Sequence, residues 1–316
     1  MRRDERGFAL VLTLIVTALL IALVAEFVTQ VYVDTTARQS YVDAQKGSLL
    51  ADSGITGAVA LLQFALPKKG YSSLHDPWAK PLEIPEESGT LRITIEDESA
   101  KLSLNHIAGT NGVFNTGAAG DTTESYYGTA MRLFRRLQLP ASDLCDAIAD
   151  WVDLDSIPKP GGAEEAWYLS RKPPLLVKNS QLDTFEELAV VKGFSSDIVE
   201  KLRPFTTVYA GNSFSAPINI NTAPKEILAS LDERISDSLA EQIIDYRKTT
   251  PFQNIADLGN VPGMNLIATG LLTRITVKSS IFRIRAEAQV NGTLRVVESV
   301  VSFAGGAPQT LYWREY

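Results

Sequence analysis

Eighteen consecutive residues without a charge, Phe8 to Ala25 (FALVLTLIVTALLIALVA), constrain this chain more than any other stretch. As an α-helix they span about 27 Å, close to the hydrocarbon thickness of a bilayer. The seven residues ahead hold Arg2, Arg3 and Arg6 against Asp4 and Glu5, while the far flank holds Glu26 and Asp34. That asymmetry favours a cytoplasmic N-terminus and a single-pass anchor. No proline follows until Pro67, so one long helix over 8–66 is expected, part transmembrane and part amphipathic. Leu50, Gly54, Gly57, Leu61 and Phe64 form its expected packing stripe, and Pro67 with Lys68-Lys69-Gly70 ends it. A secretory signal peptide would carry its small-residue cleavage site beyond the apolar run. Here the only punctuation, Gly7-Phe8, lies in front of it.

Farther along, Leu91 to Glu96 alternates apolar and polar residues, the period of a half-buried strand. Residues 281–290 and 293–303 alternate on either side of Asn291-Gly292, the pattern of a hairpin with a type I′ turn. Strand patterns thus flank a region that reads as helices and loops. The expected architecture is α+β: a long N-terminal helix on an antiparallel sheet (67–104 and 276–316), with an inserted α-domain over 105–275. Within the insert, TFEELAVVKGF (184–194) aligns with NIADLGNVPGM (254–264) at an offset of 70. Upstream, LCDAIADW (144–151) matches LAEQIIDY (239–246), and LSLN (102–105) echoes ININ (218–221). Two related helical units are expected. The first is longer, and its extra residues fall around DWVDLDSIPKPGGAEEAWY.

That extra loop offers Asp150, Asp153, Asp155, Glu164 and Glu165. Calcium takes six to eight oxygens from carboxylates and carbonyls, which a flexible loop can supply. The spacing of Asp153, Asp155 and Glu164 is like positions one, three and twelve of an EF-hand, but Pro158 stands where that motif needs glycine. A bound cation and a solvated acidic turn capped by Lys159 and Arg171 are both open. A second segment, NINTAPKEILASL (219–231), is similar to helix-hairpin-helix DNA-binding modules. Such modules present backbone N–H groups to phosphates, and Pro262 has none to offer. With a net charge of -7 and a pI near 5.1, nucleic-acid binding is disfavoured; Asn221 or Thr222 capping the next helix, with Pro224 in its first turn, is the simpler expectation. No enzyme site converges. His75 and His106 are far apart, and Cys145, the only cysteine, reads as a small buried hydrophobe on a helix.

A short basic leader ending in Gly7, aromatic Phe8, and a membrane helix running into an amphipathic one resemble the type IV pilin family. The resemblance implies cleavage of the leader (1–7) after Gly7 by a prepilin peptidase and methylation of Phe8. Most pilins have glutamate five residues into the mature chain, where this sequence has Leu12. Taken with the inserted repeat and the loop DWVDLD…GAEEAWY, the whole chain resembles the large minor pseudopilins of type II secretion, the general secretion pathway protein K family. This implies a non-enzymatic subunit anchored in the bacterial inner membrane, with its bulk in the periplasm. It would sit at the tip of the pseudopilus with minor pseudopilins I and J and other pseudopilins, helping to initiate assembly and the export of folded proteins, and Leu12 would mark its filament position. The same resemblance implies calcium in the inserted domain, with the five carboxylates as candidate ligands. A competence-type DNA-uptake pseudopilin is the alternative.

Overall fold

The computed structural model describes residues 4–66, 69–87, 89–109, 123–210 and 215–316, with backbone only at 4–6 and 123–125. The leader's Arg2 and Arg3, and Pro67 with Lys68, lie outside the described residues.

Helix α1 (Asp4–Ala65) is unbroken through Gly7-Phe8. Its apolar N-terminal half touches nothing else in the chain, and every large hydrophobic side chain from Phe8 to Val33 is exposed. From Asp43 onward it lies on a sheet, burying Ala44, Ala51, Ile55, Ala58 and Leu62. The expected stripe is therefore out of phase by one residue. Gly54 lies on the contact line, but Gly57 and Phe64 are exposed and Leu50 and Leu61 flank it. Small residues set the phase because α1 approaches closely: a Cβ at Gly54 would come within 3.2 Å of Ala286 and Leu91.

Strands β1 (Leu82–Glu86) and β2 (Gly89–Asp97) form the first hairpin of the sheet. The chain then leaves the sheet at Glu98 and does not return until Ile281. In between come β3 (Leu102–Ser103), α2 (Thr123–Arg136), α3 (Ala141–Val152), α4 (Glu165–Leu169), α5 (Ser196–Leu202) and β4 (Thr206–Thr207). A second run follows with β5 (Ile218–Asn219), α6 (Lys225–Leu228), α7 (Asp237–Thr249), α8 (Asn265–Leu271) and β6 (Ile275–Thr276). Short parallel pairings, β3 with β4 and β5 with β6, close each run. Leu102–Ser103 and Ile275–Thr276 thus pair within these two runs rather than with the five-stranded sheet. β7 (Ile281–Val290), β8 (Thr293–Ser302) and β9 (Gln309–Glu315) complete an antiparallel sheet of order β1-β2-β7-β8-β9. The two-residue turn between β7 and β8 has positive φ at Asn291 (47°) and Gly292 (85°), as a type I′ hairpin requires.

Two cores result. Phe282, Ile284, Ala286 and Ala288 of β7 face α1 together with Trp78, Leu91 and Val297. A larger core fills the insert around Leu102, Phe134, Ile148, Phe185, Leu228 and Met264, and Cys145 is fully buried there on α3. His106 is buried as well, its ring 2.8 Å from the Ser103 hydroxyl.

The two parts join at Asp97, the last residue of β2. Its Oδ2 accepts from Ser279 (2.5 Å), Thr222 (2.5 Å) and the Asn219 amide (3.3 Å), and its Oδ1 accepts from the Ser99 N–H. The expected helix caps are consequently elsewhere. Thr222 is committed to Asp97, and Asn221 clamps Phe252 by exchanging two bonds with its backbone. Pro224 itself takes the N-cap position of α6. Replacing Asp97 with Ala would remove the shared acceptor of four buried donors, a cost of about 3 kcal/mol. Calorimetry of Asp97→Ala should show a lower transition, splitting as sheet and insert uncouple; a single unshifted transition would refute this.

Candidate metal centre

The longer loop of the insert folds back on the end of α3, where its acids meet. Asp150 lies in the last turn of α3, and Asp153 caps it, its N–H donating to the Ala149 carbonyl. Both carboxylates are fully buried, at the helix end whose exposed carbonyls already carry negative potential. Such a concentration of like charge calls for a cation. The chain supplies one. Lys159 Nζ donates to Asp150 Oδ1 (3.2 Å) and Asp153 Oδ2 (2.8 Å), while its backbone N–H donates to Asp150 Oδ2 (3.0 Å).

The loop is held along the rest of α3 too. Asp146 accepts from Gly161 N–H (3.0 Å) and Tyr127 hydroxyl (2.6 Å), and the Gly162 carbonyl accepts from Lys192 (2.6 Å). Gly162 passes so near the helix that a Cβ would stand 2.0 Å from Asp150 Oδ2, so no larger residue fits. Asp155 turns the loop by accepting from the Ile157 N–H. Glu164 then precedes α4 and points its carboxylate back at the helix end.

Of the five sequence candidates, the structure gathers three. Asp153, Asp155 and Glu164 each present an oxygen within 4.8 Å of the other two. Asp150 stands behind them, joined through Lys159, and Glu165 is exposed in the first turn of α4. Glu164 is only 7% exposed, yet both its carboxylate oxygens lack a hydrogen-bond partner, as does Asp153 Oδ1. Buried polar atoms in native proteins are overwhelmingly satisfied, so orphaned oxygens on two of the three clustered carboxylates fit a hard cation. Burial, then the charges of Asp150, Asp153 and Asp155, push the Glu164 carboxyl up to about 7. Burial also raises Asp150 and Asp153, against the pull of Lys159.

Two partners were not legible as such. Lys159 reads in sequence as a turn cap, whereas it is wedged between two buried acids. Asn179, from a distant loop, donates through Nδ2 to the Asp155 carbonyl (3.0 Å) and keeps a buried, unpartnered Oδ1. No sequence pattern links positions 155 and 179. Gly7, Phe8 and Leu12 lie on α1 far from this loop, with Phe8 and Leu12 exposed.

A long N-terminal helix, apolar enough to cross a membrane, packed on an antiparallel sheet that carries a helical insert with an acidic loop, defines a pilin-like fold. Two segments, 100–211 and 218–278, match the family described as type II secretion system (T2SS), protein K. Together they cover more than half of the chain, which belongs to that family. The chain is 29% identical over 269 residues to type II secretion system protein K of Pseudomonas aeruginosa, covering 81% of this chain and 77% of that protein. It is 26% identical over 325 residues to the Aeromonas hydrophila protein of the same name, covering 94% and 93%. In fold it is similar to a chain in the crystal structure of the GspK-GspI-GspJ complex from enterotoxigenic Escherichia coli. That match has a TM-score of 0.68 at 22% identity, over 89% of this chain and 99% of the other.

The metal-free loop has a definite pH signature. The folded-state value of Glu164 lies above its ordinary 4.5, so the folded protein holds that proton more tightly than the unfolded chain. Its stabilisation is complete below pH 4.5 and is lost as the pH rises through about 7. Melting temperature without calcium should therefore fall from pH 5 to pH 8, and saturating calcium should abolish the fall by holding the carboxylate ionised. Parallel curves with calcium and with chelator would sink the assignment.

Proposed function

We propose that this chain is a non-enzymatic minor pseudopilin that caps the type II secretion pseudopilus, assembling there with pseudopilins I and J. Family membership supports the class of protein. The position within the filament is read from α1. Leu12, five residues beyond the proposed cleavage point, is an exposed apolar side chain where most pilins carry glutamate. A carboxylate at membrane depth is costly unless it meets a partner, such as the N-terminal amine of the subunit ahead. A subunit with nothing ahead of it has no such partner, and leucine avoids the cost. The insert from Glu98 to Ser280, larger than the sheet that carries it, also suits an end better than a packed shaft.

On this reading a prepilin peptidase removes residues 1–7 and methylates Phe8, the helix stays in the inner membrane, and the insert stands in the periplasm. Helping to start assembly and export follows from the tip position. Calcium, held by Asp153, Asp155 and Glu164, would supply the positive charge that the loop lacks and fix it against α3. The two helical units are read as related, each closing with a positive-φ glycine, Gly193 and Gly263, and a short parallel pairing. The DNA-uptake alternative gains nothing: Pro262 interrupts the glycine hairpin at 261–264 and the chain is acidic.

N-terminal sequencing of the native protein should begin at Phe8; a start beyond Ala25 would indicate an ordinary signal peptide. Co-purification of the full chain with pseudopilins I and J tests the assembly. An antibody to the insert should decorate one end of assembled pseudopili, and label along the shaft would overturn the tip position. Calcium at a hundred times its dissociation constant should raise stability by about 2.7 kcal/mol; identical melts with calcium and chelator would remove the ion from the account.

A further inference from the structure

Lys159 occupies an unusual place for a lysine. Its ammonium touches two carboxylates that have no solvent exposure, and its own backbone N–H is bound to one of them. The loop is thereby fastened so that the ammonium stays at the end of α3. Asp153 is divided between two duties. Oδ2 is held by Lys159 and Oδ1 is left without a partner, while the carboxylate clusters with those of Asp155 and Glu164. Any divalent ion drawn to those oxygens shares Asp153 with a cation the chain already carries.

We propose that Lys159 is a tethered competing cation that sets the calcium affinity of this loop, holding it below what the carboxylates alone would give. The inference rests on the calcium reading above. With Asp150, Asp153, Asp155 and Glu164 all ionised around a bound ion, the Lys159 ammonium, held by Asp150 and Asp153, leaves the cage three net negative charges rather than four. Affinity in oxygen-ligand sites follows ligand charge and rigidity, and an ammonium sharing a carboxylate with the ion repels it at short range through a partly buried medium. The same lysine keeps the metal-free loop folded by neutralising Asp150 and Asp153. It thus narrows the difference between the empty and loaded states from both sides.

The test is calcium binding by calorimetry with chelator competition, on the detergent-solubilised full chain. Lys159→Met keeps the stem and removes the charge, and should tighten calcium by about tenfold or more. Lys159→Arg should bind within a few-fold of the parent. Asp150→Asn, which leaves the ammonium to Asp153 alone, should bind more weakly. Loss of a purely structural clamp would weaken binding, so the direction of the Lys159→Met change is decisive. If Lys159→Met folds only with calcium, the competition is run from the loaded state, and the Asp150→Asn result is read independently. Calcium binding to the parent with equal or weaker binding to Lys159→Met would overturn the inference and leave the calcium site standing. No binding to the parent would remove the calcium reading itself.

Discussion

Asp97 accepts four hydrogen bonds in a buried site, from Ser99 just past β2, Ser279 just before β7, and Asn219 and Thr222 in the second helical run of the insert. No cation helps it. Burial pushes its carboxyl up, and the hydroxyls of Ser279 and Thr222 pull the other way. The insert is therefore held by directional bonds that exist only when both parts are in register. One residue on, Glu98 solves the same problem differently. Burial would raise its carboxyl, but Lys101 and Arg283 hold it at about 2. Arg283 also reaches Glu298 on the neighbouring strand β8, carrying the junction across the sheet. A buried acid held by neutral donors beside one held through Oε1 by two cations makes the junction specific, since neither tolerates displacement of its partners.

The acidic loop repeats that contrast at larger scale. Its carboxylates gather at the wrong end of α3 for the helix dipole, and one lysine answers only part of the charge. What remains is a set of oriented, unpartnered oxygens. The insert is thus tied to the sheet by acids with close partners and carries, away from that joint, Glu164, whose two oxygens have none.

Much of this was legible in the residues. The uncharged run announced α1, and Asn291-Gly292 between alternating strands fixed the central hairpin, because both signals are local. The phase of the helix stripe was not, because the contact is set by how closely Gly47 and Gly54 let the sheet approach, and small residues leave a faint hydrophobic signal. Asn221 and Thr222 looked like helix caps since nothing nearby in sequence competes for them; their partners, Phe252 and Asp97, are distant. In the acidic loop, spacing picked out Asp153, Asp155 and Glu164 but could not separate them from Asp150 and Glu165. That separation depends on which carboxylates Lys159 takes and which way α4 turns.

The continuity of α1 has a mechanical meaning. Between the end of the apolar run at Ala25 and the first contact with the sheet at Asp43, the helix crosses about 27 Å of open space without a break. With the run seated in a bilayer, that length is a stalk that sets how far the sheet and insert stand from the surface. It contains no glycine or proline to bend at. A push or twist on the membrane segment would reach the sheet undiminished, so the head would turn with its root rather than swing on it.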